Sequence, residues 1–146
     1  MPFKFQVQMK IRRPRAEVFE AVVDPRHLEG YFVARASAPM AAGTTVQWKW
    51  PELDELADVE VMEVTAPERI VFKWGAAEGG YDTEVVMTFT PLPGDETMVQ
   101  IAESGWRETA KGQEASYGNA GGWAIFVSSL KAYLEYGVNL REGGYF

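Results

Sequence analysis

The sequence predicts an α+β fold in which a curved antiparallel sheet encloses one long C-terminal helix. From Phe3 to Ile11, and repeatedly from Val33 to Ser104, apolar and polar residues alternate as they do in half-buried strands. The C-terminal stretch instead repeats its large apolar residues every three or four positions, as an amphipathic helix does. Helices that are segregated in sequence from a run of strands are typical of the α+β class. A strongly twisted sheet curls, so its concave side has to be filled by the terminal helix or by a ligand.

The C-terminal helix is predicted to run from about Gln113 to Gly137. Its apolar stripe consists of Trp123, Phe126, Val127, Leu130, Tyr133 and Leu134. Gly137 suits the C-cap, because glycine adopts the left-handed conformation that ends a helix at little steric cost. The segment from Tyr117 to Gly122 is glycine-rich, and each interior glycine costs about 1 kcal/mol relative to alanine. The polar segment from Gly105 to Gly118 is predicted to be a long connection that could cover a cavity mouth.

Two short helices joined at a proline are predicted after the first strand. Pro14 suits the first turn of a helix. Asp24-Pro25 interrupts that helix, because the residue before a proline is pushed out of the helical region. A second short helical piece follows near Leu28.

Six further strands are predicted between Val33 and Ser104, separated by proline and glycine turns. They are Val33–Ala38, Thr44–Trp50, Asp58–Val64, Arg69–Trp74, Thr83–Thr90 and Thr97–Glu103. The acidic segment PELDELAD between the second and third of them fits either a helical turn or a loop, and GAAEGG fits a hairpin loop. Alternation assigns to the concave face Val46, Trp48, Trp50, Ile70, Phe72, Trp74, Val85, Met87, Phe89, Val99, Ile101 and Glu103.

Length and composition exclude several classes of function. The 146 residues are predicted to form one domain, 1–146. The absence of cysteine excludes disulfides, thiolate metal sites and a cysteine nucleophile. No spacing of carboxylates around the single histidine, His27, supports a metal site, and we expect no metal and no cofactor. We expect His27 to be a hydrophilic surface residue rather than a general base.

Charge and hydropathy bear on partners and location. The net charge of −7 opposes a general affinity for nucleic acid or anionic lipid. No apolar run approaches the ~20 residues that span a bilayer, so no membrane insertion and a cytoplasmic location are expected. A local basic cluster is interpreted as a solvated rim, with an anion site as the alternative; it consists of Lys10, Arg12, Arg13, Arg15 and Arg26.

Glu103 is the chemically most informative candidate. If the alternation of Val99 and Ile101 continues, its carboxylate points into an otherwise apolar concavity, where it could orient a ligand or act as a general acid or base. The alternative is that the strand ends near Ala102 and Glu103 faces water. Glu63 presents the same ambiguity with a weaker pattern.

Several strings resemble the activator of heat shock protein 90 ATPase homologue (AHSA-like) family, in the START/SRPBCC superfamily. They cover nearly the whole chain in the family's order: Ile11…Pro14-Arg15-Ala16-Glu17-Val18-Phe19…Asp24-Pro25, then Glu63-Val64, Ala66–Trp74 (APERIVFKW) and Gly122-Trp123…Leu130…Tyr133-Leu134…Gly137. The resemblance implies the helix-grip fold, a curved sheet wrapped on a long C-terminal helix with a hydrophobic cavity between them. Superfamily relatives bind lipids, sterols, polyketides or plant hormones, and some are enzymes.

The first functional hypothesis is a non-enzymatic protein, monomeric or homodimeric, that binds a small hydrophobic or lipid-like ligand. Tryptophan and tyrosine walls can stack a planar ligand. The predicted ligand-binding residues are Trp48, Trp50, Phe72, Trp74, Met87, Glu103, Trp106, Trp123, Val127 and Leu130, with Trp106 anchoring a loop over the cavity mouth. The second is a co-chaperone-like module that binds a chaperone partner. The third is a cavity enzyme that uses Glu103 with a tyrosine such as Tyr31 or Tyr133.

Overall fold

Seven antiparallel strands and three helices make up a computed structural model that describes residues 2–145. In chain order they are β1 (Phe3–Ile11), α1 (Arg15–Val23), α2 (Pro25–Leu28), β2 (Arg35–Ala36), β3 (Thr45–Lys49), β4 (Ala57–Thr65), β5 (Arg69–Gly75), β6 (Asp82–Leu92), β7 (Glu96–Trp106) and α3 (Ala110–Tyr136). The strands form a single sheet in the order β1-β7-β6-β5-β4-β3-β2. The predicted α+β helix-grip arrangement is confirmed.

Strand alternation places the core on the concave face as expected. Val46 and Trp48 of β3, Phe72 of β5 and Met87 of β6 are each at most 1% exposed. The polar residues between them face the other side of the sheet. The strand predictions are therefore confirmed except at Val33–Ala38, where only Arg35–Ala36 pairs with β3. PELDELAD forms turns and bends rather than a helix.

Helix α3 begins three residues earlier than predicted. The prediction of a long connection from Gly105 to Gly118 is wrong. The side chain of Thr109 caps the helix by accepting from the backbone N–H of Gly112 at 3.0 Å. A Cβ atom on residue 112 would lie 2.0 Å from the carbonyl oxygen of Arg107, so glycine permits this tight entry. The connection from β7 is only the segment 107–109. Gly137 ends the helix with φ at +65°, as predicted.

Helix α3 lies across the concave side, but not symmetrically. Its backbone packs against β1 and β7 on one side. On the side of β3, β4 and β5 it stands away from the sheet, and a cleft remains there. Helices α1 and α2 cover the far end of the concavity, where Tyr31 donates from its hydroxyl to the carbonyl of Ala21 at 2.8 Å. None of the helices in residues 2–145 combines the length and apolar character of a membrane span.

The predicted basic cluster is a set of surface ion pairs. Each of its side chains has a carboxylate within 4 Å: Lys10–Glu96, Arg12–Glu135, Arg13–Glu17, Arg15–Glu68 and Arg26–Asp24. These partners neutralise the cluster locally, which favours the rim interpretation over an anion site.

Candidate ligand-binding cleft

A cleft of about 1120 Å³ opens between α3 and the end of the sheet formed by β3, β4 and β5. Ligand pockets in proteins typically enclose about 300–1,000 Å³, so the space accommodates a molecule of ordinary metabolite size. Its inner walls are aromatic and its rim is polar. The inner part of the cleft is lined by Tyr31, Phe32, Trp50 and Trp74 and, on α3, by Gly118, Asn119, Gly122, Trp123, Ile125 and Phe126. Its mouth is lined by Glu52, Leu53, Leu56, Ser129, Arg141 and Tyr145.

Glycines on α3 keep the cleft open. Gly118 and Gly122 are four residues apart, so they lie on the same helix face, and both line the cleft. A Cβ atom placed at either position would meet nothing within 4 Å. Each interior glycine costs the helix about 1 kcal/mol in propensity. No close contact of another element with these two glycines offsets that cost. What they leave is open space beside the helix.

Three tryptophans, Trp50, Trp74 and Trp123, form the aromatic wall of the cleft. The rings of Trp74 and Trp123 are stacked, with centroids 5.4 Å apart and planes at 28°. Trp50 contacts Trp74 at 6.1 Å, and Phe32 contacts Trp50 edge to face at 5.4 Å. Trp50 and Trp74 are only half-buried, so they present ring surface to the cleft. Flat apolar molecules can stack on such a wall, and its aromatic side chains lose little rotamer freedom when they do so.

Glu103 lies behind this wall and holds it in place. Glu103 is 1% exposed, and its carboxylate accepts hydrogen bonds from four side chains. Trp123 Nε1 lies 2.8 Å from Oε1, while Trp74 Nε1 and Thr83 Oγ1 lie 2.9 and 2.6 Å from Oε2. The amide nitrogen of Asn119 lies 3.1 and 3.0 Å from the two oxygens. A buried charge is tolerated when it is this fully hydrogen-bonded, and here it fixes two ring planes and one amide of the cleft.

The mouth of the cleft is crossed by the segment that follows α3. Arg141 reaches both carboxylate oxygens of Glu52, a residue of the β3–β4 connection. Its guanidinium also lies over the ring of Tyr145, 4.8 Å from the centroid. The hydroxyl of Tyr145 is within hydrogen-bond distance of Ser129 on α3. These contacts join the C-terminal segment to both sides of the opening.

The comparisons with known proteins agree with this architecture. The sequence profile described as Activator of Hsp90 ATPase homolog 1-like protein (AHSA1) matches residues 12–135. The chain belongs to this family. A comparison with curated proteins found no match.

Solved structures resemble this AHSA1-like chain over most of its length. The protein SSP2350 from Staphylococcus saprophyticus is 28% identical, with 95% of this chain and 96% of that chain covered and a TM-score of 0.80. DynU16, a putative protein in the dynemicin biosynthetic locus, is 30% identical with a TM-score of 0.79; the match covers 92% of this chain and 48% of DynU16. The Aha1 dimer from Colwellia psychrerythraea is 20% identical, with 92% and 98% covered and a TM-score of 0.78, and shows the same fold.

Three of the ten predicted ligand-binding residues line the cleft of this AHSA1-like chain. These are Trp50, Trp74 and Trp123. Six others are buried elsewhere, each 4% exposed or less: Trp48, Phe72, Met87, Trp106, Val127 and Leu130. Glu103 faces the concavity, as one of its two predicted orientations required, and stands behind the tryptophans.

The predicted anchoring role of Trp106 at the cavity mouth is wrong. Trp106 ends β7 and stacks on Phe5 of β1, with ring centroids 5.5 Å apart. It therefore belongs to the β1 side of the sheet, away from the cleft. The mouth is covered instead by Arg141 and Tyr145, whose sequence carries no periodic signal of burial.

The tyrosines that the sequence suggested as partners of Glu103 bond to other groups. The Tyr31 hydroxyl is bound to the Ala21 carbonyl, and burial raises the pKa of Tyr31 well above its ordinary value. The Tyr133 hydroxyl lies 2.7 Å from Nδ1 of His27, and His27 is half-buried. Within residues 2–145 no group of three or more histidines and carboxylates is placed to hold a metal.

Proposed function

We propose that this chain binds a small, flat hydrophobic molecule in the cleft between α3 and the β3–β5 end of the sheet. The observation that carries the proposal is the pairing of a tryptophan wall with a glycine face on α3, which leaves about 1120 Å³ open. Gly118 and Gly122 are exposed positions where larger residues with better helix propensity fit, and glycine leaves the space beside the tryptophans open.

Glu103 supports binding rather than catalysis. Both of its oxygens already accept hydrogen bonds from four side chains, and two of those donors, the indoles of Trp74 and Trp123, cannot accept a proton in exchange. A general acid or base has to exchange its proton with a substrate within hydrogen-bond reach. Such an exchange at Glu103 requires the network to break first.

The proposal is tested by asking what the protein binds. Native mass spectrometry of the purified protein is expected to show a bound small molecule, and titration with N-phenyl-1-naphthylamine is expected to give saturable fluorescence enhancement. A ligand at a hundred times its Kd stabilises the native state by about 2.7 kcal/mol, which raises Tm. A set of flat hydrophobic compounds none of which binds or raises Tm would contradict the proposal.

Two matched tryptophan substitutions locate the binding. Trp50→Phe removes ring surface from the cleft wall, whereas Trp106→Phe makes the same change at a buried ring on the β1 side. We expect Trp50→Phe to weaken binding of the dye and Trp106→Phe to leave it unchanged. Equal effects of the two substitutions would place the dye elsewhere.

A second candidate function, interaction with a chaperone, is favoured by the family to which the chain belongs, since its description refers to activation of Hsp90 ATPase. It requires a surface contact rather than the cleft. Co-purification with an Hsp90-type chaperone and a change in that chaperone's ATPase rate would support it. An unchanged ATPase rate at saturating concentrations of this protein would count against it.

A further inference from the structure

We propose that Asn119 is the specificity-determining residue of the cleft, and that its amide oxygen accepts a hydrogen bond from an O–H or N–H group on a flat aromatic ligand. The inference rests on the proposed function and adds the chemical class of the ligand. The hydrogen-bonding requirements of Glu103 carry it.

The orientation of the Asn119 amide follows from its neighbour. Amide oxygen and nitrogen are interchangeable in many asparagine side chains, but an ionised carboxylate only accepts. The atom that faces both oxygens of Glu103, at 3.1 and 3.0 Å, is therefore the nitrogen. Glu103 is itself held by Trp74, Thr83 and Trp123, so it is a rigid reference for the amide. Glu103 thus acts as a positioning residue.

The amide oxygen of Asn119 is left for the cleft. Asn119 lines the cleft, and its Oδ1 accepts from no side chain or backbone group in residues 2–145. This oxygen is not among the fully buried side-chain atoms that lack a hydrogen-bond partner. It is therefore accessible from the cleft. An accessible acceptor beside stacked indoles favours a ligand whose ring carries a donor, because the ring stacks while the donor meets Oδ1.

The charge of the rim is compatible with such a ligand. The cleft is lined by five carboxylates, Glu52, Glu55, Asp58, Glu60 and Asp82, and by two cations, Lys73 and Arg141. Arg141 is engaged by Glu52. The remaining acidic excess disfavours an anionic ligand and favours a neutral or cationic hydrogen-bond donor.

The test compares two probes that differ only in whether the hydroxyl hydrogen is replaced by a methyl group. 2-Naphthol carries an O–H donor, and 2-methoxynaphthalene has the same rings with that donor blocked by a methyl group. Their Kd values are measured by competition against N-phenyl-1-naphthylamine. In the absence of an acceptor the methyl ether binds at least as tightly, because it is the more apolar molecule. We expect the wild type to prefer 2-naphthol by about two- to tenfold, the range of one net hydrogen bond.

Two variants assign the preference to Asn119. Asn119→Ala removes the acceptor and one donor to Glu103, and it should abolish or reverse the preference while 2-methoxynaphthalene still binds. Thr83→Val also removes one donor to Glu103, but Thr83 is 1% exposed and does not line the cleft, so this variant should keep the wild-type preference. A loss of stability alone does not change the ratio of two Kd values.

Each outcome decides one of the two proposals. If the wild type binds both probes equally, or if Asn119→Ala keeps the preference for 2-naphthol, the role of Asn119 is wrong while ligand binding stands. If Thr83→Val loses the preference as Asn119→Ala does, the effect belongs to the Glu103 network and the role of Asn119 as acceptor is likewise wrong. If neither probe binds the wild type, the proposed function itself fails.

Discussion

The carboxylate of Glu103 accepts the indole N–H of Trp123 at 2.8 Å, and this bond joins β7 to α3 inside the concavity. The same carboxylate holds Trp74 on β5 at 2.9 Å. One buried carboxylate on β7 therefore links α3 to β5 beside the cleft. The hydrogen bonds of Glu103 thus hold two of the tryptophans that line the cleft.

Glu103→Gln should reduce the free energy of unfolding by about 2–4 kcal/mol. The substituted amide brings an NH2 group against donors, so at least one buried donor loses its acceptor, at about 1–3 kcal/mol each, and the charge assistance is lost. Urea denaturation followed by circular dichroism measures the change. Thr83→Val is the control, because it removes a single donor and should cost about 1 kcal/mol. Equal stability of Glu103→Gln and the wild type would mean that the network does not hold the core together.

Glu135 should give the protein a dependence on acidic pH. Burial on its own raises the pKa of Glu135, but hydrogen bonds from Lys131 and Arg12 outweigh burial and lower it to about 2. The folded-state pKa then lies below the ordinary value of 4.5, so the stabilisation is complete above about pH 5 and is lost as pH falls towards 2. The expected loss is about 2–3 kcal/mol.

Unfolding by urea at several pH values separates this contribution from the others. Glu135→Gln carries no titrating group at this position, so its stability should fall less than that of the wild type between pH 5 and pH 2. Parallel curves for the two proteins would show that Glu135 contributes nothing to the acid dependence.

Arg141 should control entry to the cleft. Arg141→Ala removes the contact with Glu52 across the mouth, and an ion pair of this kind contributes about 0.5–1 kcal/mol. If the mouth must open before a ligand enters, the association rate of N-phenyl-1-naphthylamine should rise about two- to fivefold in stopped-flow measurements. Arg69→Ala is the control, because it breaks the pair with Glu63 at 3.4 Å and neither residue lines the cleft. An unchanged rate in Arg141→Ala would show that the segment does not limit entry.

The strands could be predicted because alternation is a local property of the chain, and the inward direction of Glu103 was one of the two orientations that the sequence left open. Val99, Ile101 and Glu103 share one face of β7 whatever the rest of the fold does, since side chains alternate with period two. The helix was also predicted from its apolar stripe. Residues 110–112 at its start lie outside the predicted range, because the polar segment Gly105–Gly118 carries no apolar stripe and favours a connection.

The cleft itself could be predicted only in part. The alternation of side chains along the strands predicts that Trp50 and Trp74 face the concavity, and both line the cleft. Its mouth depends on Arg141 and Glu52, which are 89 positions apart, and no local pattern reports a contact of that separation. Asn119 was missed for a similar reason, since its role depends on the neighbour that holds its amide. The sequence places Trp106 at the mouth only if the connection after β7 is long, whereas that connection is the segment 107–109.

The central claim is that the space beside α3 is a binding site, and substitutions at two adjacent glycines test it most directly. Gly122 lines the cleft and Gly121 does not, and a Cβ atom at either position would meet nothing within 4 Å apart from the adjoining helix backbone. Leucine at either position should raise stability by up to about 1 kcal/mol, because each replaces an interior helix glycine. Neither variant is therefore expected to unfold.

The decisive measurement is the Kd of N-phenyl-1-naphthylamine for Gly122→Leu and Gly121→Leu beside the wild type. Filling the cleft at position 122 should weaken binding about tenfold or more, as overpacking of about 1–3 kcal/mol implies. Gly121→Leu should bind as the wild type does. Wild-type affinity in Gly122→Leu, with its fold intact by circular dichroism, would contradict the assignment of the cleft as the binding site.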